Sequence, residues 1–211
     1  MRDALRAFRH RNFRLFYVGQ AISLIGTWVQ QIALSWLVYR TTGSAFLLGM
    51  VAFVTQFPLL IVTPFAGMLS DRLDRRKMMI AAQMLAALQA FTLVVLTLSG
   101  AIRIWQILAL GFFFGIVQAF ETPARQSLLS QMVGSRDDLP NAIALNSFLM
   151  NSGRLVGPSI AGLLLVFISE GWCFLVNAFS FTAVIAAAVM MRIEPKRATA
   201  RSLPLLGSLK E

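Results

Sequence analysis

The sequence predicts an all-α membrane protein, a bundle of six membrane-spanning helices. Three observations carry this reading. Of the 211 residues, 57% are apolar and only 13% charged, where a soluble domain carries roughly 25% charged residues. The charges divide the chain into uncharged runs long enough to cross a bilayer as helices, which takes about 20 apolar residues. The runs also lack the period-two alternation of barrel strands.

Nothing charged lies between Arg14 and Arg40, between Arg40 and Asp71, or between Lys77 and Arg103. Ile104 to Phe120 is the next run, ended by Glu121. Leu139 to Ser169 then carries only Arg154, and Gly171 to Met191 ends at Arg192. The expected spans are about 13–39, 46–70, 78–99, 104–122, 142–168 and 172–191. Turns fall at residues 41–44 (TTGS), 99–100 (SG) and 169–171 (SEG). The first apolar run is far longer than the core of a signal peptide and no small-residue cleavage site follows it, so it reads as a permanent span.

Formal net charge is +10, which on a soluble protein would point to nucleic acid. Here the cations sit between spans and instead set topology. Sixteen of the nineteen Lys and Arg fall on one side: the N-terminal tail, the second loop, the fourth loop (Arg125, Arg136) and the C-terminal tail. Arg40 and Arg103 fall on the other side, and Arg154 lies within a span. The basic side is expected to be cytoplasmic, with residues 1–12 and 192–211 as cytoplasmic tails around a bundle over 13–191. Residues 125–138, where Leu128, Leu129, Met132 and Val133 recur at helical spacing, are expected to form a short amphipathic helix on the cytoplasmic surface.

Several classes are excluded or disfavoured. A single cysteine, Cys173, cannot form an intramolecular disulfide and has no ligand neighbours at metal-binding spacing. No metal or cofactor is expected. One histidine, His10, and no nucleophile–base arrangement argue against an enzyme. The cytoplasmic loops are short and no G-x-x-x-x-G-K-[ST] loop is present, which disfavours an ATP-driven exporter domain.

Residues 67–77 read GMLSDRLDRRK. This resembles the loop signature of the major facilitator superfamily, G-x-L-x-D-R-x-G-R-[RK], matching at Gly67, Leu69, Asp71, Arg72, Arg75 and Arg76 and departing at Asp74. The resemblance implies the N-terminal six-helix half of that fold, a 3+3 inverted repeat. It also implies that Gly67, Asp71, Arg72, Arg75 and Arg76 belong to a conformational latch between two halves. In the fifth span, residues 153–162 read GRLVGPSIAG, similar to the superfamily's G-x-x-x-G-P-x-x-G-G exporter motif. Gly153, Gly157, Pro158 and Gly162 carry it; Gly153, Gly157 and Ala161 share one face for close helix packing, and Pro158 can bend the helix. The stretches FRHRNFR at 8–14, FETPARQ at 120–126 and DLPNAIALNS at 138–147 resemble the bacterial branch that includes the enterobactin exporter. That branch implies a secondary active exporter of siderophores or other small molecules in the bacterial cytoplasmic membrane.

Polar groups at membrane depth need partners or a water-filled cavity. In the first span Gln20, Ser23, Thr27, Gln30 and Gln31 form one stripe, and Ser147, Asn151 and Arg154 form another in the fifth. The resemblance implies that spans one, two, four and five line a central cavity while three and six stay peripheral. The expected substrate wall is Gln30, Gln31, Gln56, Asn151 and Arg154. Arg154 sits too deep to snorkel, at a cost of roughly 2.5–3.5 kcal/mol on insertion scales; it binds an anionic substrate or gates a carboxylate, or else clamps a carbonyl or Gln. The first three spans hold no acid, so Glu121 is the nearest candidate for proton coupling. Expected partners are the bilayer, a small-molecule substrate, and either a C-terminal six-helix half or a second copy of the chain. The alternative to a transporter half is a homodimerising six-span subunit or a non-transporting fragment or scaffold.

Overall fold

The computed structural model describes residues 3–192, without the side chains of residues 3, 4, 68–72 and 136. Apart from Arg192, the predicted C-terminal tail lies outside the described residues. Six long helices follow one another: α1 (Arg11–Thr42), α2 (Ala45–Arg72), α3 (Arg75–Leu98), α4 (Ile104–Met132), α5 (Leu139–Phe167) and α6 (Glu170–Met190). Each is long and apolar enough to cross a membrane, and no strand occurs among the described residues. Short 3-10 turns at Asp3–Arg9 and Arg136–Asp138 flank α1 and α5.

Local chemistry sets the ends. Gly43 closes α1 in the left-handed region at φ 62°, its N–H donating to the Tyr39 carbonyl, a conformation only glycine takes without strain. Asp74 caps the start of α3, its Oδ1 accepting from the backbone N–H groups of Arg76 at 3.0 Å and Lys77 at 3.3 Å. The departure from the superfamily signature at Asp74 thus supplies an N-cap, one of the side chains best suited to that position. Pro140 sits in the first turn of α5, where its missing N–H costs nothing.

The 125–138 segment is not the separate surface helix expected from its spacing. The helix of the fourth span runs on without a break through Pro123 to Met132. Arg125, Leu128, Leu129 and Met132 are buried, and the three apolar residues join a core cluster with Phe13, Phe16 and Met79. The helical spacing was read correctly, but the face it defines meets protein.

Within the bundle α1 lies against α6 and α5, α2 against α4, and α3 against α4 and α6. Lipid is as apolar as leucine, so helices associate through close packing rather than water exclusion. Glycines permit that packing. A Cβ on Gly26 of α1 would meet Asn177 at 2.7 Å on α6, and one on Gly111 of α4 would meet the Thr55 hydroxyl at 2.8 Å on α2. At one end of the bundle Arg40 forks onto Glu170, with Nε–Oε1 at 3.0 Å and Nη2–Oε2 at 3.2 Å. The carboxylate stands in the first turn of α6, where the helix dipole also favours it. Arg40, one of the two cations on the sparsely charged side, is thereby neutralised. The remaining surface carries many exposed large apolar side chains, including Phe46, Phe53, Leu60, Leu155, Val166 and Phe167, as a lipid-facing or helix-facing surface requires. By share of residues buried, α2 and α5 are the least covered of the six.

Candidate functional site

A cavity of about 330 Å³ opens between α1, α2, α4 and α5, with Gln89 of α3 also reaching its wall. Its walls carry the amides of Gln30, Gln31, Gln56, Gln89 and Gln118, the hydroxyls of Thr27, Ser35, Thr55 and Thr122, and Arg154. Among the described residues Arg154 is the one charged residue lining it. No hydrogen bond or ion pair holds the Arg154 guanidinium among the described residues, and its side chain is exposed. The clamp onto a carbonyl or glutamine, one of the sequence expectations for this residue, is not formed.

Gln30, Gln31, Gln56 and Arg154 therefore meet at one cavity. Asn151 does not join them: it is exposed away from the lining, and its Nδ2 donates to the Ser147 carbonyl at 2.9 Å. The polar stripe of α1 splits as well. Gln20 and Ser23 are buried in the bundle, whereas Thr27, Gln30 and Gln31 reach the cavity.

Behind the cavity a relay of side chains crosses three helices. Gln89 on α3 donates from Nε2 to the Leu110 carbonyl at 3.5 Å. Gln30 donates from Nε2 to Gln89 Oε1 at 3.1 Å, and Asn177 on α6 donates from Nδ2 to Gln30 Oε1 at 2.9 Å. Ser180 donates to Asn177 Oδ1 at 2.9 Å. A backbone carbonyl can only accept, so Leu110 fixes the amide orientation of Gln89, and through it those of Gln30 and Asn177. Gln89 and Asn177 were missed from sequence, because α3 and α6 were expected to be peripheral. The available signal was an amide in an otherwise apolar run, which rarely occurs without a partner.

Glu121 lies outside the cavity lining. Its carboxylate faces Arg125 one turn on, with Arg125 Nε 3.1 Å from Oε1 and 3.4 Å from Oε2. Arg125 Nη1 also reaches Asn146 Oδ1 on α5 at 3.5 Å. Both charged side chains are buried. Arg125 is therefore an internal partner of Glu121 and not a loop cation.

At the basic end, two of the predicted latch residues hold the bundle itself. Arg75 Nη1 donates to the Ser127 carbonyl on α4 at 3.3 Å. Arg76 donates from Nε to the Ala188 carbonyl at 2.7 Å and from Nη2 to the Val189 carbonyl at 2.8 Å. The side chains of Asp71 and Arg72 lie outside the described residues. A Cβ on Gly67 would meet nothing within 4 Å, so among the described residues nothing fills the space that a side chain there would take.

The exporter-like motif in α5 divides. Gly153 and Gly157 are buried against α1, where an added Cβ would run into Leu24 and, at 2.5 Å, into Trp28. Pro158 lies inside the helix. Gly162 packs against nothing, since a Cβ there would meet open space; the buried small residue of that turn is Ala161.

The N-terminal segment is stapled to the α4–α5 connection. Asn141 Oδ1 accepts from the Ala7 N–H at 2.9 Å, and Arg6 Nε lies 3.2 Å from Asp138 Oδ1. His10 Nδ1 accepts from the Gly134 N–H at 3.4 Å, which leaves Nε2 as the donor to Asp138 Oδ2 at 2.9 Å. The hydrogen bond from His10, helped by the charges of Arg6 and Arg9, holds the Asp138 carboxyl below its ordinary range despite some desolvation.

Sequence comparison places this geometry in a family. A family-wide profile described as transmembrane secretion effector matches residues 3–210. The chain is 31% identical over 169 residues to a staphyloferrin A transporter of Staphylococcus aureus, covering 80% of this chain and 42% of the relative. It is 30% identical over 152 residues to macrolide efflux protein A of Streptococcus pyogenes, covering 72% and 37%. It is also 24% identical over 163 residues to the enterobactin exporter EntS of Shigella boydii, covering 77% and 39%. The chain thus spans less than half the length of the curated relatives it matches. Its loop signature, its six spanning helices and a profile match over nearly its whole length agree: the chain belongs to the transmembrane secretion effector family of the major facilitator superfamily.

Proposed function

We propose that the chain forms one wall of a secondary active exporter that moves small molecules across the bacterial cytoplasmic membrane by alternating access. The observation that carries this reading is a polar cavity, bordered by α1, α2, α4 and α5, within an otherwise apolar bundle. A lone half has nothing to rock against, so the opposing wall is a second six-helix bundle. The exposed apolar faces of α2 and α5 beside the cavity, and relatives more than twice as long as the matched region, support that partner.

The basic end, which carries the N-terminal segment and the last turn of α6, is the cytoplasmic end by the excess of Lys and Arg there. Gln30, Gln31, Gln56 and Arg154 contact the solute. Gly67, Asp71 and Arg72 face the second bundle as a latch, while Arg75 and Arg76 anchor the same loop to α4 and α6. Glu121 is the carboxylate available for proton exchange, and its protonation releases Arg125, which also donates to Asn146 Oδ1.

Flux in everted membrane vesicles carrying the complete polypeptide tests this reading, with erythromycin and a panel of siderophores as probes because the relatives include a macrolide efflux protein and siderophore transporters. Energised uptake of at least one probe should exceed that of empty vesicles, collapse with a protonophore, and fall with Gln31→Leu. Uptake equal to empty vesicles for erythromycin and a panel of siderophores would overturn it.

A further inference from the structure

We infer that the cavity is an oxyanion site, and that its solute pairs a carboxylate-like group with hydroxyl or amide donors. This rests on the cavity being the transport pathway.

The relay behind the wall engages its amides on both sides. Gln30 Oε1 accepts from Asn177 and Gln89 Oε1 from Gln30. Each of these amides uses one N–H and one lone pair within the relay and keeps one of each for a solute, so the charge preference of the wall is set by Arg154. Arg154 adds a guanidinium with five N–H donors and no acceptor, none of them engaged within the described residues. Among the described residues no carboxylate lines the cavity to balance its charge. An uncompensated cation on the wall of a cavity within a bilayer favours an anion there, and a guanidinium fork matches the two oxygens of a carboxylate.

The hydroxyls provide the complement. Thr27, Ser35 and Thr55 spend their protons on the carbonyls of Ser23 at 2.9 Å, Gln31 at 3.0 Å and Val51 at 2.8 Å. What they offer a solute is a lone pair, which suits an O–H or N–H group. The wall therefore attracts an anion at Arg154 and hydroxyl or amide donors toward α1 and α2. A simple cation or a hydrocarbon satisfies neither.

The test reads cavity charge directly and needs no known substrate. In the complete polypeptide, with other accessible cysteines removed, Ala52→Cys places a thiol on the cavity lining. Its reaction rates with the anionic sulfonatoethyl and the cationic trimethylammonioethyl methanethiosulfonates are compared with those of a free thiol. The anionic reagent should be favoured by at least about tenfold relative to the free thiol, as one unit charge nearby would produce. Arg154→Gln should abolish the preference and Arg154→Lys should retain it, with the lysine variant also controlling for folding. A ratio equal to that of the free thiol means that an acid of the opposing bundle neutralises Arg154, which overturns the inference. So does an anionic preference that survives Arg154→Gln. Vesicles that move no solute while the rate ratio behaves as expected would sink the transport reading and leave the anion site standing.

Discussion

Arg76 caps α6: its Nε lies 2.7 Å from the Ala188 carbonyl and its Nη2 2.8 Å from the Val189 carbonyl. The last carbonyls of a helix have no partners within it, and a cation there is also favoured by the helix dipole. Arg11 adds a third bond, to the Met190 carbonyl at 3.2 Å. A signature arginine expected to act between two bundles is thus committed to joining α3 and α6 within one.

It follows that Arg76→Ala destabilises the six-helix bundle itself. A hydrogen bond to a charged group contributes about 1.5–3 kcal/mol, so thermal unfolding of the purified complete protein should move to clearly lower temperature, with Arg76→Lys recovering part of the loss. An unfolding temperature indistinguishable from the parent would remove the capping role.

The two ends of the α5 motif should respond oppositely. Gly157→Ala forces its new Cβ toward Trp28, and overpacking of this kind costs about 1–3 kcal/mol. Gly162→Ala meets open space and trades glycine for a better helix former, worth up to about 1 kcal/mol. The same unfolding assay, run on both variants side by side, reads the contrast. Equal losses would contradict the packing described.

Glu121 and Arg125 should behave as a unit. Removing one partner of a buried pair costs about 3–5 kcal/mol because the other charge is stranded. Glu121→Gln and Arg125→Gln singly should each lower stability strongly, and the double variant should lose less than the sum. An additive cycle would mean that the two charges do not depend on each other.

Acid should release the N-terminal segment. Asp138 ionises below its ordinary range in the folded protein. Its contribution is therefore complete above the ordinary value of 3.8 and is lost as pH falls through the lower, folded value. Amide hydrogen exchange at Ala7, corrected for the intrinsic pH dependence, should accelerate relative to the bundle interior below about pH 4. Asp138→Asn should show that faster exchange at neutral pH and flatten the profile.

Much of the fold was legible because charge spacing and span length are imposed by the bilayer rather than by details of packing. The limits appear at particular residues. Arg125 looked like a loop cation, since nothing in a linear reading reveals that Glu121 one turn earlier is buried with it. The 125–138 face was visible, but whether it meets lipid headgroups or Phe16 and Met79 is a tertiary fact. Gln30, Gln31, Gln56 and Arg154 were found by looking for polar groups in apolar runs. The same search should have taken in Gln89 and Asn177, and it passed over them because their helices were assigned to the periphery. Asn151 follows the helical spacing of Arg154 but bonds back to its own helix, as short polar side chains do.

If the cavity between α1, α2, α4 and α5 is a pathway open alternately to the two sides of the membrane, a thiol on its wall is reached from both. Gln31→Cys in the complete polypeptide is labelled by a membrane-impermeant maleimide, applied to right-side-out and to everted vesicles. Labelling is expected from both faces, with rates that shift in opposite directions when a proton gradient is imposed. Labelling from one face only, unchanged by the gradient, would contradict such a pathway.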